Sequence, residues 1–125
     1  VYKCGFAKSQ NTYEKSAKLL FKTLDDLELI LAKNQFLLGD VLTEADLRLI
    51  PTLLRFDEVY YTHFKCNYKR IVDYKNLFRY AQDLYSIPAI KTTTDLDHIK
   101  RHYYYSHETL NPYRLVPIGP ARTLV

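Results

Sequence analysis

FLLGDVLTEADL, Phe36 to Leu47, is the stretch that decides the fold. Gly39 is one of only three glycines in 125 residues and stands between two helical patterns, so it breaks the helix before it. Thr43 then reads as an N-cap. Its hydroxyl can accept from the backbone N–H of Asp46, while the Asp46 carboxylate reaches back to the N–H of Thr43. Leu42 and Leu47 flank this capping box at the positions of a hydrophobic staple. A helix therefore starts here, and the pattern carries it through RLIPTLLRFDEVYYTHF, Arg48 to Phe64. Pro51 deletes one of its backbone hydrogen bonds, which predicts a bend and not an end.

Upstream, NTYEKSAKLLFKTLDDLELILAKNQ places Tyr13, Ala17, Leu20, Leu24, Leu27 and Leu31 at alternating spacings of four and three, one face of a long helix. Asn11 is the expected cap, with Glu14 returning the bond. Leu19, Phe21 and Ile30 widen the apolar stripe and predict burial on more than one side. Downstream, KCNYKRIVDYKN is polar and basic and reads as a connection. Leu77, Tyr80, Ala81, Leu84 and Tyr85 then mark another helix, closed by Pro88. TTTDLDHIKRHYYYS opens the last one, capped by Asp95 or a preceding Thr. The tail NPYRLVPIGPARTLV carries several prolines and is expected to lie extended on the bundle surface. No alternating strand pattern and no internal repeat is present, so the fold class is all-α, a helical bundle in one domain over residues 1–125.

Composition narrows the function. Few glycines argue against a phosphate-cradling loop. The net charge of +4 is spread among alternating acidic and basic residues, which reads as a solvated surface and not a nucleic-acid footprint. No apolar run is long enough to span a membrane. The opening VYKCGFAKSQ has neither signal-peptide nor transit-peptide character and no Met, so a piece of a longer chain is expected. Cys4 and Cys66 lie far apart without CxxC spacing, which points to a reducing, cytoplasmic setting.

Four chemistries compete for the unusual residues. His98 and His102 share a helical face and His63 stands three before Cys66, but no third ligand of recognisable spacing joins them, so histidines without a metal are the better reading. Lys65, Lys69 and Arg70 would favour a Cys66 thiolate, yet a free cysteine is more often a small buried packing group. Basic residues interleaved with rings in KCNYKR and HIKRHYYYSH have the composition of a single-strand platform, but no nucleic-acid motif accompanies them. The tyrosines themselves are the fourth. A phenol is a protonated donor at neutral pH, able to hold a ring oxygen and to supply a proton, although periodicity alone would assign Tyr103, Tyr104 and Tyr105 to packing.

The order of strings VYKCGFA, FLLGDVLTEADLRL, LLRFDEVYYTHFKCN, DYKNLFRYAQDLYSIPAI and DLDHIKRHYYYSHETLNPYRLVPIGP resembles the C-terminal helical domain of the Xi-class glutathione transferases, the glutathionyl-hydroquinone reductases. The likeness runs from Val1 to about Pro120. Pro51 departs from it, standing where Thr or a similar residue is usual. The resemblance implies a preceding thioredoxin-like domain that binds glutathione, the co-substrate, and carries a catalytic Cys in a CPWA-type motif absent from this sequence. Neither Cys4 nor Cys66 stands in for it, so these 125 residues alone are expected to be inactive. It also implies that Tyr2, Tyr60 and Tyr103 hydrogen-bond the oxygens of an aromatic hydroquinone conjugate, and that the helical domain builds a homodimer. Tyr104 and Tyr105 are read as packing or pocket wall, and Tyr61 has no assigned role. The rival expectation is a non-catalytic domain of the same superfamily used for protein association, because function resides in the site and not in the fold.

Overall fold

In the computed structural model, which describes residues 1–125, every regular element is helical, and the one strand-like pairing joins Phe36 and Gly39 across a turn. A single turn, α1 (Tyr2–Gly5), leads into α2 (Gln10–Leu31), which at 22 residues spans about 33 Å. Ser9, and not Asn11, caps α2: its backbone is extended and its hydroxyl accepts from the Thr12 N–H at 3.2 Å. Glu14 instead accepts from the Gln10 amide at 2.9 Å. Three cap-capable residues, Ser9, Asn11 and Thr12, stand close together here, and the first of them leaves the helix. Phe21, Leu24 and Leu31 are buried, with Tyr13, Ala17, Leu20 and Leu27 packed beside them. Leu19 and Ile30 do not widen that face. They are exposed, Leu19 at 64%, because the core meets α2 from one side only.

The helix ends at Leu31, eight residues before Gly39. Gly39 instead closes the following turn, with φ +125°, a conformation that other residues rarely adopt, and two backbone bonds to Phe36 at 2.8 and 3.3 Å. The helix α3 (Glu44–Arg55) then starts from Thr43, whose N–H donates to Asp46 Oδ2 at 2.8 Å in a capping box. Asp46 is fully buried and also accepts from the Leu37 N–H at 3.0 Å and the Tyr80 hydroxyl at 2.7 Å. Burial works against its charge, but the donors from Thr43, Leu37 and Tyr80 outweigh it and hold the carboxyl below its ordinary range. Leu42 and Leu47 remain exposed, at 39% and 48%, because α3 buries the face of Asp46, Ile50, Leu53 and Leu54, and Leu47 lies off that face.

α3 runs through Pro51 without ending, and a wider π turn follows at Phe56–Tyr60, then α4 (Tyr61–His63). All five residues of the π turn are buried. Within it, the Asp57 carboxylate accepts from the N–H groups of Ile71 and Val72 at 2.7 and 3.1 Å, which pins the basic connection to the core. The helix α5 (Lys75–Tyr85) packs on α2 and α3, burying Leu77, Tyr80, Ala81 and Leu84. Its free N-terminal N–H groups are met by α2: Glu28 accepts from Asn76 and Leu77 at 2.8 and 2.7 Å. Pro88 lies beyond the end of α5 and opens a short helix, α6 (Pro88–Thr92), where its missing N–H is harmless. Asp95 caps α7 (Leu96–Ser106) through the His98 N–H at 3.0 Å. The tail has no regular structure. It is anchored by buried Leu124, by Arg122 over the Phe78 ring and by Lys100 donating to the Gly119 carbonyl at 2.7 Å.

Candidate functional site

Three elements that share no local sequence relationship bring their tyrosines to one point. Tyr2 comes from α1, Tyr60 from the end of the π turn and Tyr103 from α7. The Tyr2 hydroxyl donates to the Tyr103 hydroxyl at 3.1 Å, and the Tyr60 and Tyr103 hydroxyls lie 3.0 Å apart. Tyr60 and Tyr103 are buried, whereas Tyr2 is 48% exposed and forms the open side of the group. Phe64 is the floor: its ring stacks on Tyr60 with centroids 5.5 Å apart at 12°, and lies 4.8 Å from that of Tyr2. That floor requires Gly5. A Cβ there would stand 2.1 Å from Phe64 Cδ1, so α1 can approach closely enough to place Tyr2 only because position 5 has no side chain.

Tyr2 and Tyr60 stay protonated across the physiological range. Burial, then the bond to Tyr103, pushes Tyr2 up to about 12, and the same causes raise Tyr60 further. The trio is a set of hydroxyls that satisfy one another, with lone pairs left over and one exposed member. Such a group can exchange its internal hydrogen bonds for bonds to the oxygens of an aromatic ligand.

Next to it lies a histidine pair that sequence reasoning did not join. His63 Nε2 and His107 Nδ1 are 2.9 Å apart, with rings stacked at 17°. One ring must donate and the other accept, so the bond requires at least one neutral imidazole. Burial, then the neighbouring charges of His107 and Lys65, lowers His63 to about 4; burial, helped by His102, lowers His107 as well. The sequence signal was that His63 stands three residues after Tyr60 and His107 four after Tyr103, about one helical turn in each case.

The remaining candidates fall elsewhere. Tyr104 is buried, its ring edge against His63 and its hydroxyl 3.5 Å from the Val59 carbonyl, while Tyr105 is exposed. Cys66 is fully buried, and burial, with the neighbouring Cys4, pushes its thiol up to about 12. The basic residues nearby therefore do not make it a thiolate. His98 and His102 are exposed and, with Arg55 and Tyr103, line an open cavity of about 310 Å³ beside the trio. No helix is long and apolar enough to cross a membrane.

Residues 10–83 match the family described as glutathione S-transferase, C-terminal domain. The chain belongs to that family. It is 49% identical over 99% of its length to a glutathionyl-hydroquinone reductase of Escherichia coli K12, of which it spans 38%. The glutathione-bound structure of a glutathione transferase homologue from Escherichia coli K-12 superposes with a TM-score of 0.95 at 49% identity, over 98% of this chain and 40% of that one. Glutathione transferase Xi from Phanerochaete chrysosporium gives 0.93 at 52% identity, over 96% of this chain and 41% of that one. These relatives identify it as a Xi-class glutathione transferase C-terminal domain, and it spans about two-fifths of the length of the proteins it matches.

Proposed function

We propose that the chain is the helical, substrate-pocket half of a glutathione-dependent reductase of glutathionyl-hydroquinones, working with a thioredoxin-like domain that supplies the nucleophilic Cys and most of the glutathione site. The convergence of the Tyr2 and Tyr60 hydroxyls on that of Tyr103, at 3.1 and 3.0 Å, is the observation that carries this reading. The likeness to a glutathionyl-hydroquinone reductase supports the chemistry, and the likeness to a glutathione-bound structure supports glutathione as co-substrate.

In the reaction, the Cys thiolate of the first domain attacks the glutathione sulfur of the conjugate. A sulfur–sulfur bond forms and the carbon–sulfur bond breaks, its electron pair passing to the ring carbon, which takes a proton. The phenols hold the quinol oxygens and one supplies that proton, which solvent replaces through exposed Tyr2. A second glutathione thiolate then cleaves the mixed disulfide, leaving as oxidised glutathione and restoring the Cys. The 125 residues alone carry no CPWA-type motif and are inactive in this reading. The protein works as a cytoplasmic homodimer, with no metal, nucleic acid or membrane in its chemistry.

The test compares Tyr103→Phe with Tyr104→Phe in the full-length protein. Each removes one hydroxyl and keeps the ring. Single-turnover reduction of a glutathionyl-hydroquinone should fall on the order of a hundredfold for Tyr103→Phe and change little for Tyr104→Phe. Equal rates in the two variants, with equal thermal stability, would return the trio to packing.

A further inference from the structure

Tyr103 belongs to two places at once: it is the centre of the phenol trio and a wall of the open 310 Å³ cavity whose other polar lining groups are Arg55, Thr93, Asp95, His98 and His102. About 150 Å³ is enough to hold a benzene ring, so this space takes a ring edge together with a substituent. Its lining carries one cation, Arg55, and one anion, Asp95. Arg48, Arg70, Arg79 and Arg101 each pair with a carboxylate on their own segment, whereas Arg55 has no ion-pair partner. Its guanidinium spends one donor on the Pro51 carbonyl at 2.9 Å and keeps the rest. Asp95 is the one acid lining the cavity, and its carboxylate is engaged in capping α7 through the His98 N–H. The positive charge of Arg55 also reaches the phenols, opposing the burial that raises Tyr2 and Tyr60.

We propose that Arg55, assisted by His98 and His102, is the specificity-determining group of this pocket and receives a carboxylate carried by the aromatic ring, so that the preferred conjugates are those of acidic hydroquinones. The inference rests on the reductase reading above. A planar guanidinium with free paired donors matches a carboxylate through two parallel bonds. The substituent reaches it past Tyr103 while the ring oxygens stay with the phenols.

The experiment uses full-length protein and two substrates, the glutathionyl conjugates of hydroquinone and of gentisate, which adds a ring carboxylate. The kcat/KM for the gentisate conjugate should exceed that for the neutral one by roughly tenfold, and the preference should shrink as salt is raised. Arg55→Gln should bring the ratio close to one. His102→Gln, at an exposed position, should reduce it by a smaller factor and keeps the test open if Arg55→Gln unfolds. Turnover of both conjugates with no preference, or a ratio unchanged in both variants, overturns the assignment of Arg55 and leaves the reductase reading standing. If neither conjugate is turned over, the reductase reading fails, and calorimetry of the same protein with free gentisate and free hydroquinone decides the cavity. Tighter binding of the acid, lost in Arg55→Gln and weakened in His102→Gln, upholds the carboxylate site; equal affinities overturn it.

Discussion

The Asp46 cluster and the tyrosine trio are built from similar parts, buried oxygens linked by hydrogen bonds between distant elements, and they differ in whether those bonds are complete. Asp46 accepts from two backbone N–H groups and a phenol and has no exposed surface. The trio's hydroxyls have only one another, and one of the three rings is half in solvent. A buried polar group with a full set of partners joins the fold together. One whose partners are interchangeable is ready to trade them for a ligand.

The strongest way to break the comparison is Asp46→Ala. It leaves the Tyr80 hydroxyl and the N–H groups of Leu37 and Thr43 facing an apolar side chain, so unfolding free energy should drop by about 3–5 kcal/mol, read from denaturant midpoints. A loss under 1 kcal/mol would mean that water replaces the carboxylate, and the cluster would not be closed.

The two regions should also fail at different acidities. His63, lowered to about 4, is neutral when folded, while in the unfolded chain it binds a proton below about 6.5. Its contribution is therefore fully present above pH 6.5 and is lost as pH falls towards 4, a change of about 3 kcal/mol. Asp46, also lowered, keeps its contribution down to about pH 3.9 and loses it only below that. His63→Phe should flatten the stability profile between pH 6.5 and 4 and leave the steeper acid limb in place. A profile unaltered by the substitution would show that His63 is not the group that titrates.

The smallest effect sharpens the distinction most directly. Tyr80→Phe removes a donor that Asp46 cannot replace and should cost about 1–2 kcal/mol, whereas Tyr60→Phe leaves Tyr103 still bonded to Tyr2 and should cost less than about 1 kcal/mol. Thermal melts of both variants make the comparison, and a reversed order would exchange the roles given to the two clusters.

What was legible in the sequence follows how local each interaction is. The capping box at Thr43 and the Asp95 cap involve residues three apart, and the core face of α2 is a repeat within one helix, so both could be read from spacing. Residue types alone did not choose between Ser9 and Asn11, because the choice depends on which backbone leaves the helix first. The union of positions 2, 60 and 103 has no local signal; periodicity gave packing, and only the family resemblance grouped the three. The His63–His107 pair lay beyond both routes, since the two rings meet across 44 residues. The exposure of Leu42 and Leu47 was invisible to a staple pattern, which specifies position along the helix and not what lies outside it.

The π turn at Phe56–Tyr60 sets the phase of everything after it. A wider turn holds one residue more than an α-turn, and each residue advances a helix by about 100°. Winding the same residues as a regular α-helix, with none deleted, would turn Tyr60, His63 and Phe64 by about that angle relative to α3, away from Tyr103 and His107. The chain could still be helical throughout and carry every side chain discussed above, yet have no site. In this domain the extra residue carried between Arg55 and Tyr60 holds those rings in phase, so a change that regularised the turn would remove the site without removing any ring.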